Sequence, residues 1–133
     1  RGTLIEEMGD AGYHVPPLRM IQDSGIPWGL GTDGTKASMI NPFVTLWWAV
    51  TGLALNGKTV LNETLTREEA LIAHTRSNAY LMFQEANIGS IRPGLLADLL
   101  VLDRDYLTVP ADEIKMILPI ATIVDGRVVS GAL

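Results

Sequence analysis

Apolar residues recur at helical spacing over much of the first two thirds of the chain. After Asn41 they return every three or four residues, which is the period of a helix with one buried face. Thr66 is followed three residues later by Glu69, and this capping box marks the start of another helix. A short helix is predicted to follow Pro16-Pro17 and to stop at Ser24-Gly25. Three further helices are predicted at 42–55, 66–76 and about 77–85.

Short β-branched runs replace the helical period after residue 87. Asp98 and Asp103 flank an apolar strand, and two β-branched runs around Asp125-Gly126 predict a hairpin. Residues 110–117 fit a short helix. Earlier, residues 26–30 form a short apolar run bounded by turn residues, which predicts a buried strand. These patterns predict an α/β protein with a boundary near residue 87.

Composition excludes several classes of protein. Of the 133 residues, 47% are hydrophobic and 19% charged, which is typical of a globular chain. A formal net charge of −5 disfavours nucleic acid and anionic membranes as partners, and no apolar run is long enough for a transmembrane helix. The absence of cysteine excludes disulfides and thiolate ligands. Because the first residues are neither Met nor a signal segment, we expect the chain to begin within a longer gene product.

Asp33 is the residue that points most directly to chemistry. It lies in the Gly-Thr-Asp-Gly loop that directly follows the predicted strand at 26–30. Barrel enzymes place their catalytic side chains in such loops, and a carboxylate there can ligate a divalent metal or take a proton from a metal-bound water. The alternative is a turn aspartate bonded to its own loop, because Asp-Gly is a common turn signal.

The two histidines are too few for a zinc site, which needs three or four ligands. His74 lies within a predicted helix and is interpreted as a partly buried structural residue. His14 lies in a predicted loop, either as a plain loop residue with no partner or as a contact to a substrate. Structural roles are also predicted for an acidic helical face (Glu6, Glu7, Asp10), for Asp98 and Asp103 in turns, and for Trp47-Trp48, with one ring in the core.

Three stretches occur in a distinctive order. The first is Gly-Leu-Gly-Thr-Asp-Gly at 29–34, followed by Asn41-Pro42. The second is Leu-Thr-Arg-Glu-Glu-Ala-Leu at 65–71, followed by Asn78-Ala79. The third comprises 89–94, 97–103 and Thr-Ile-Val-Asp-Gly-Arg at 122–127. In this order and spacing they resemble the C-terminal part of the amidohydrolase superfamily, closest to the amidohydrolase-3 type.

The resemblance implies a fold and a role for Asp33. The fold is the C-terminal part of a metal-dependent (β/α)8 barrel plus part of a small β-sandwich. Residues 1–87 would be the last barrel segments, with the eighth strand near 26–31, and residues 88–133 would be the C-terminal strands of the sandwich. Asp33 matches the family's catalytic aspartate after the eighth strand, which contacts the metal or its bound hydroxide and shuttles a proton.

The implied activity is hydrolysis of an amide or related non-peptide C–N bond in a small molecule. The implied cofactor is a divalent metal that activates water, and zinc is the metal expected. Thr32, Thr35 and His14 are further candidates to contact the substrate. A non-catalytic assembly or structural module is the alternative.

The main departure from the family is that its other ligands, a His-x-His pair, a bridging lysine and further histidines, lie on earlier strands that this chain lacks. The chain alone is therefore expected to bind no metal and to be inactive. Its unclosed barrel is expected to pack against a second copy of the chain, as a homo-oligomer, or against the missing N-terminal part.

Overall fold

The protein forms five α-helices, two 3-10 helices and three β-strands in a computed structural model that describes residues 2–34 and 40–132. The α-helices are α1 Gly2–Met8, α2 Leu18–Asp23, α3 Pro42–Thr51, α4 Arg67–His74 and α5 Arg76–Leu81. The strands are β1 Leu99–Leu102, β2 Pro119–Val124 and β3 Arg127–Gly131, and the 3-10 helices are Gly9–His14 and Ala111–Met116. No helix in these ranges is long and apolar enough to span a membrane.

Local capping residues start α3 and α4 where the sequence predicts. The Asn41 side chain accepts a hydrogen bond from Phe43 N at 2.9 Å, and Pro42 occupies the first turn of α3. The predicted capping box of α4 is confirmed, because Thr66 Oγ1 accepts from Glu69 N while the Glu69 carboxylate accepts from Thr66 N.

The helix ends differ more from the prediction. Helix α3 ends at Thr51 rather than at residue 55, because Gly52 takes a left-handed conformation with φ +68° and approaches the Leu61 backbone closely. Helix α4 ends at His74, where Thr75 has φ −125° and ψ −85°, and α5 begins directly afterwards. The helix predicted at 110–117 is a short 3-10 helix.

The predicted hairpin is confirmed. Strands β1, β2 and β3 form an antiparallel sheet in that order, and the β2–β3 turn has positive φ at both Asp125 and Gly126. Asp98 and Asp103 have the predicted structural roles. Asp98 Oδ1 accepts from Asp125 N at 2.8 Å, and Asp103 Oδ1 accepts from Leu118 N at 2.9 Å.

The hydrophobic core lies around α3 and crosses the predicted boundary near residue 87. Trp47 of α3 is buried, as predicted for one ring of its pair, and Trp48 is half-buried against the same cluster. Ile114 and Ile117, from the far side of the boundary, are completely buried in this cluster. The result is a mixed α/β fold with one core, while the barrel and sandwich remain predictions.

Candidate functional site

The segment before Asp33 crosses from α2 to the α4–α5 junction. The sequence predicts residues 26–31 as a buried strand, but they form no strand in the structure, and Ile26 is exposed. A strand requires a partner to complete its backbone ladder, and the described residues supply none here. Its place as an eighth barrel strand therefore stays a prediction. Leu30 is buried in the core, and Trp28 Nε1 donates to Gln22 Oε1 at 3.0 Å.

Leu30 is fixed by both of its backbone groups. Its N–H donates to the carbonyl oxygen of Ala73 at 3.0 Å, and its carbonyl oxygen accepts from Asn78 Nδ2 at 2.8 Å. Gly29 lies against the same amide, since a Cβ at this position would overlap Asn78 Oδ1. Leu30, three residues before Asp33, is thus tied to the α4–α5 junction.

Asp33 is exposed and has an unusual backbone conformation. Its φ is +45°, in the left-handed region, which aspartate adopts more readily than most residues but still at some cost in strain. Gly34 N donates to Thr32 Oγ1 at 3.2 Å, so the hydroxyl of Thr32 caps the turn that carries Asp33. The carboxylate is therefore presented outward by a constrained turn. Thr35, the next predicted substrate contact, lies outside the described residues.

His14 has a partner that the sequence did not reveal. Its Nδ1 lies 2.9 Å from Glu63 Oε1, and Asn62 N donates to the carbonyl oxygen of Tyr13 at 2.8 Å beside it. The interpretation as an unpaired loop residue is wrong on both points, because His14 ends a 3-10 helix and is held by a loop 49 residues away. Its role in substrate binding stays a prediction.

His74 is half-buried on α4, as predicted for a structural histidine. Its Nε2 is buried and has no hydrogen-bond partner among residues 2–34 and 40–132. The acidic residues Glu6, Glu7 and Asp10 are exposed, in agreement with their prediction as a solvated face.

The described residues do not complete a metal site. They contain no group of three or more His, Asp or Glu side chains close enough to hold an ion. Asp33 fits the chemistry of one oxygen ligand, whereas a catalytic zinc needs about three protein ligands.

A depression of about 350 Å³ lies between residues 27–28 and the helices α4 and α5. Asp33 is not among the residues that line it. Its lining residues are Pro27, Trp28, Ile72, Arg76, Ser77, Tyr80 and Glu85.

Asn78 makes a contact that could not be predicted from the sequence. It belongs to the second of the three distinctive stretches, but nothing near it in sequence indicates its partner, because Leu30 lies 48 residues away. A glycine at 29 was the available signal, since a missing Cβ marks a close approach.

The chain is similar in sequence to three curated proteins. The chain is 32% identical to the N-substituted formamide deformylase of Arthrobacter pascens, over 83% of this chain and 20% of the relative. It is 37% identical to the imidazolonepropionase of Syntrophobacter fumaroxidans, over 65% of this chain and 19% of the relative. It is 33% identical to the 5-methylthioadenosine/S-adenosylhomocysteine deaminase of Symbiobacterium thermophilum, over 96% of this chain and 34% of the relative. The chain thus spans only about a fifth to a third of these proteins.

A solved structure has a similar fold. An amidohydrolase from Thermotoga maritima MSB8 superposes with a TM-score of 0.65 over 87% of this chain and 26% of its own, at 20% identity. The family model for the amidohydrolase family matches residues 4–130. With nearly the whole described chain matched, and with Asp33 inside the match, the chain belongs to the amidohydrolase family and corresponds to the C-terminal part of its members.

Proposed function

We propose that the full-length protein that carries this chain is a metal-dependent hydrolase of amide or related non-peptide C–N bonds in a small molecule. Membership of the amidohydrolase family implies C–N bond hydrolysis. The observation that carries the catalytic assignment is Asp33, an exposed carboxylate on a left-handed residue at the end of an anchored segment. Strained residues of this kind cluster at functional sites.

Asp33 acts as the proton shuttle in this proposal. The oxygen of the attacking water bonds to the substrate carbon, and the Asp33 carboxylate accepts the proton that the water loses. As the C–N bond breaks, Asp33 returns the proton to the nitrogen, which leaves as a neutral amine or ammonia. A bound divalent metal, for which we propose zinc, would lower the pKa of its bound water. Asp33 is the one residue of the described chain assigned to hold this metal.

The relatives suggest the class of substrate. One is named as a deformylase of N-substituted formamides and another as a deaminase of 5-methylthioadenosine and S-adenosylhomocysteine. We therefore propose a small molecule whose scissile C–N bond is not a peptide bond. Thr32, Thr35 and His14 are proposed to contact it, and the Glu63 carboxylate 2.9 Å from His14 Nδ1 supports a fixed orientation of that ring.

A non-catalytic assembly module is the second candidate. It is favoured by one observation, namely that the described residues bring no three metal ligands together. In that case Asp33 would only shape its turn.

Turnover of the full-length protein, measured before and after replacement of Asp33 by Asn, separates the two candidates. The amide keeps the size of the side chain but cannot accept the proton, so kcat is expected to fall by about 10²–10⁴-fold. The assay uses zinc-loaded protein and a panel of N-substituted formamides and aryl amides, with release of amine as the readout.

Asp112→Asn is the matched control, because Asp112 is exposed on the 3-10 helix and has no role in the proposal. It is expected to keep the unmodified turnover. Unchanged turnover in Asp33→Asn, with the melting temperature preserved, would leave Asp33 as a turn residue. An absence of amine release by the unmodified zinc-loaded protein would support the assembly module.

A further inference from the structure

The break between α4 and α5 leaves backbone carbonyls that need partners outside the helix. A helix that ends at His74 has four terminal carbonyls without intrahelical donors. The Leu71 carbonyl accepts from Thr75 Oγ1 at 2.7 Å and the Ile72 carbonyl from Thr75 N at 3.2 Å. The other two terminal carbonyls have no donor within the helix and need one from outside it. The break therefore leaves two acceptors close together.

These two acceptors connect the junction to the segment that leads to Asp33. The Ala73 carbonyl accepts from Leu30 N at 3.0 Å, and the His74 carbonyl lies 3.4 Å from Asn78 Nδ2. The same amide nitrogen donates to the Leu30 carbonyl at 2.8 Å. Asn78 therefore bridges the end of α4 and the backbone of Leu30 with the two hydrogens of one NH2 group.

We propose that Asn78 is a positioning residue for hydrolysis, which fixes the backbone of Leu30 and thereby sets the location of Asp33. The inference rests on the proposed function of Asp33. Asp33 lies three residues after Leu30, in a segment that lacks a strand ladder among the described residues. The two hydrogen bonds at Leu30 therefore fix the backbone three residues upstream of Asp33.

The close fit at Gly29 supports this role. A side chain at this position would displace Asn78 Oδ1 and would also come within 3.2 Å of Leu81. The glycine therefore leaves the space that the amide of Asn78 occupies beside the backbone that it holds. Asn78 itself has no assigned contact with the reacting atoms, and its effect passes through Leu30.

The first test is Asn78→Asp in the full-length, zinc-loaded protein, assayed with whichever formamide or aryl amide the unmodified protein hydrolyses. The substitution keeps the shape of the side chain but replaces the NH2 donor by an oxygen that the Leu30 and His74 carbonyls repel. We expect kcat to fall by about 10²-fold because a displacement near 1 Å has that effect, while KM changes little. Asn87→Asp, at an exposed amide that bonds Gln84, is the control and keeps normal turnover.

A double-mutant cycle distinguishes positioning from general loss of structure. If Asn78 acts through Asp33, Asn78→Asp lowers the residual rate of Asp33→Asn by less than about threefold, since misplacing an inert side chain has little effect. Equal effects in both backgrounds would overturn the inference. So would a normal kcat in a folded Asn78→Asp protein.

Two further outcomes keep the inference separate from the proposed function. If Asp33→Asn itself leaves turnover unchanged, the proposed role of Asp33 fails, and the positioning role fails with it. If Asp33→Asn is impaired and Asn78→Asp is normal, only the inference fails. Should Asn78→Asp not fold, Gly29→Ala pushes the same amide away without removing its donors, and the same loss of kcat with little change in KM is expected.

Discussion

Arg19 of α2 and Glu69 of α4 form a two-point ion pair that links these helices. Arg19 Nη2 lies 2.7 Å from Glu69 Oε1, and Nη1 lies 3.1 Å from Oε2. The hydrogen bond from Arg19, together with those from Thr66, lowers the pKa of Glu69 from 4.5 to about 2. A lowered pKa in the folded state means that the pair stabilises the fold above pH 4.5 and that this contribution is lost as the pH falls toward 2.

Substitution of Glu69 by Gln tests this linkage. Gln keeps a capping acceptor but loses the charge, so the free energy of unfolding at pH 7 is expected to fall by about 1–2 kcal/mol, a value reduced for solvent screening of a partly exposed pair. In urea unfolding the difference should shrink as the pH falls from 4.5 toward 2. Glu68→Gln, exposed in the same first turn, is expected to show no such trend. A cost that is independent of pH would assign the effect of Glu69 to packing.

Among the secondary-structure elements, the starts of α3 and α4 were predictable from sequence and several ends were not. Asn41 and Thr66 mark helix starts through bonds to residues two or three positions away, so a local pattern contains them. The end of α3 depends on the Leu61 backbone, and the anchor of the 26–31 segment depends on Asn78. Such tertiary contacts leave little local signal. The same reason explains why Asp33 could be identified from its loop and Asn78 could not.

Gly52→Ala tests why α3 ends early. An alanine at φ +68° costs about 1–2 kcal/mol for its backbone conformation, and its Cβ would overlap the Leu61 carbonyl, which adds about 1–3 kcal/mol. Gly57→Ala is the matched control, since Gly57 has φ +80° with open space around it and incurs only the first cost. The midpoint of urea unfolding should therefore fall further for Gly52→Ala. Equal shifts in the two variants would show that the close approach to Leu61 does not limit the helix.

As a whole, the molecule exposes more surface than its size requires. Its accessible surface of 8414 Å² exceeds the roughly 6,800 Å² of a folded monomer of this mass. Four consecutive large apolar side chains, at 80–83, are exposed, and Phe83 has 89% of its surface free. Monomeric proteins rarely present such patches. We propose that this surface packs against the remainder of the full-length protein, and against a second copy when the chain stands alone.

The isolated chain is therefore expected to self-associate in a way that depends on the segment 80–83. Sedimentation velocity should give a mass above 14.4 kDa that rises with concentration. Replacing Met82 and Phe83 together by Lys should shift the population toward monomer, because association would then bury two charges against apolar surface. The control replaces Met20 and Leu55, which are likewise exposed, by Lys. It adds the same charge elsewhere and is expected to leave association unchanged. A chain that is monomeric at every concentration would contradict the proposal, and equal dissociation in both double variants would indicate net charge rather than this segment as its cause.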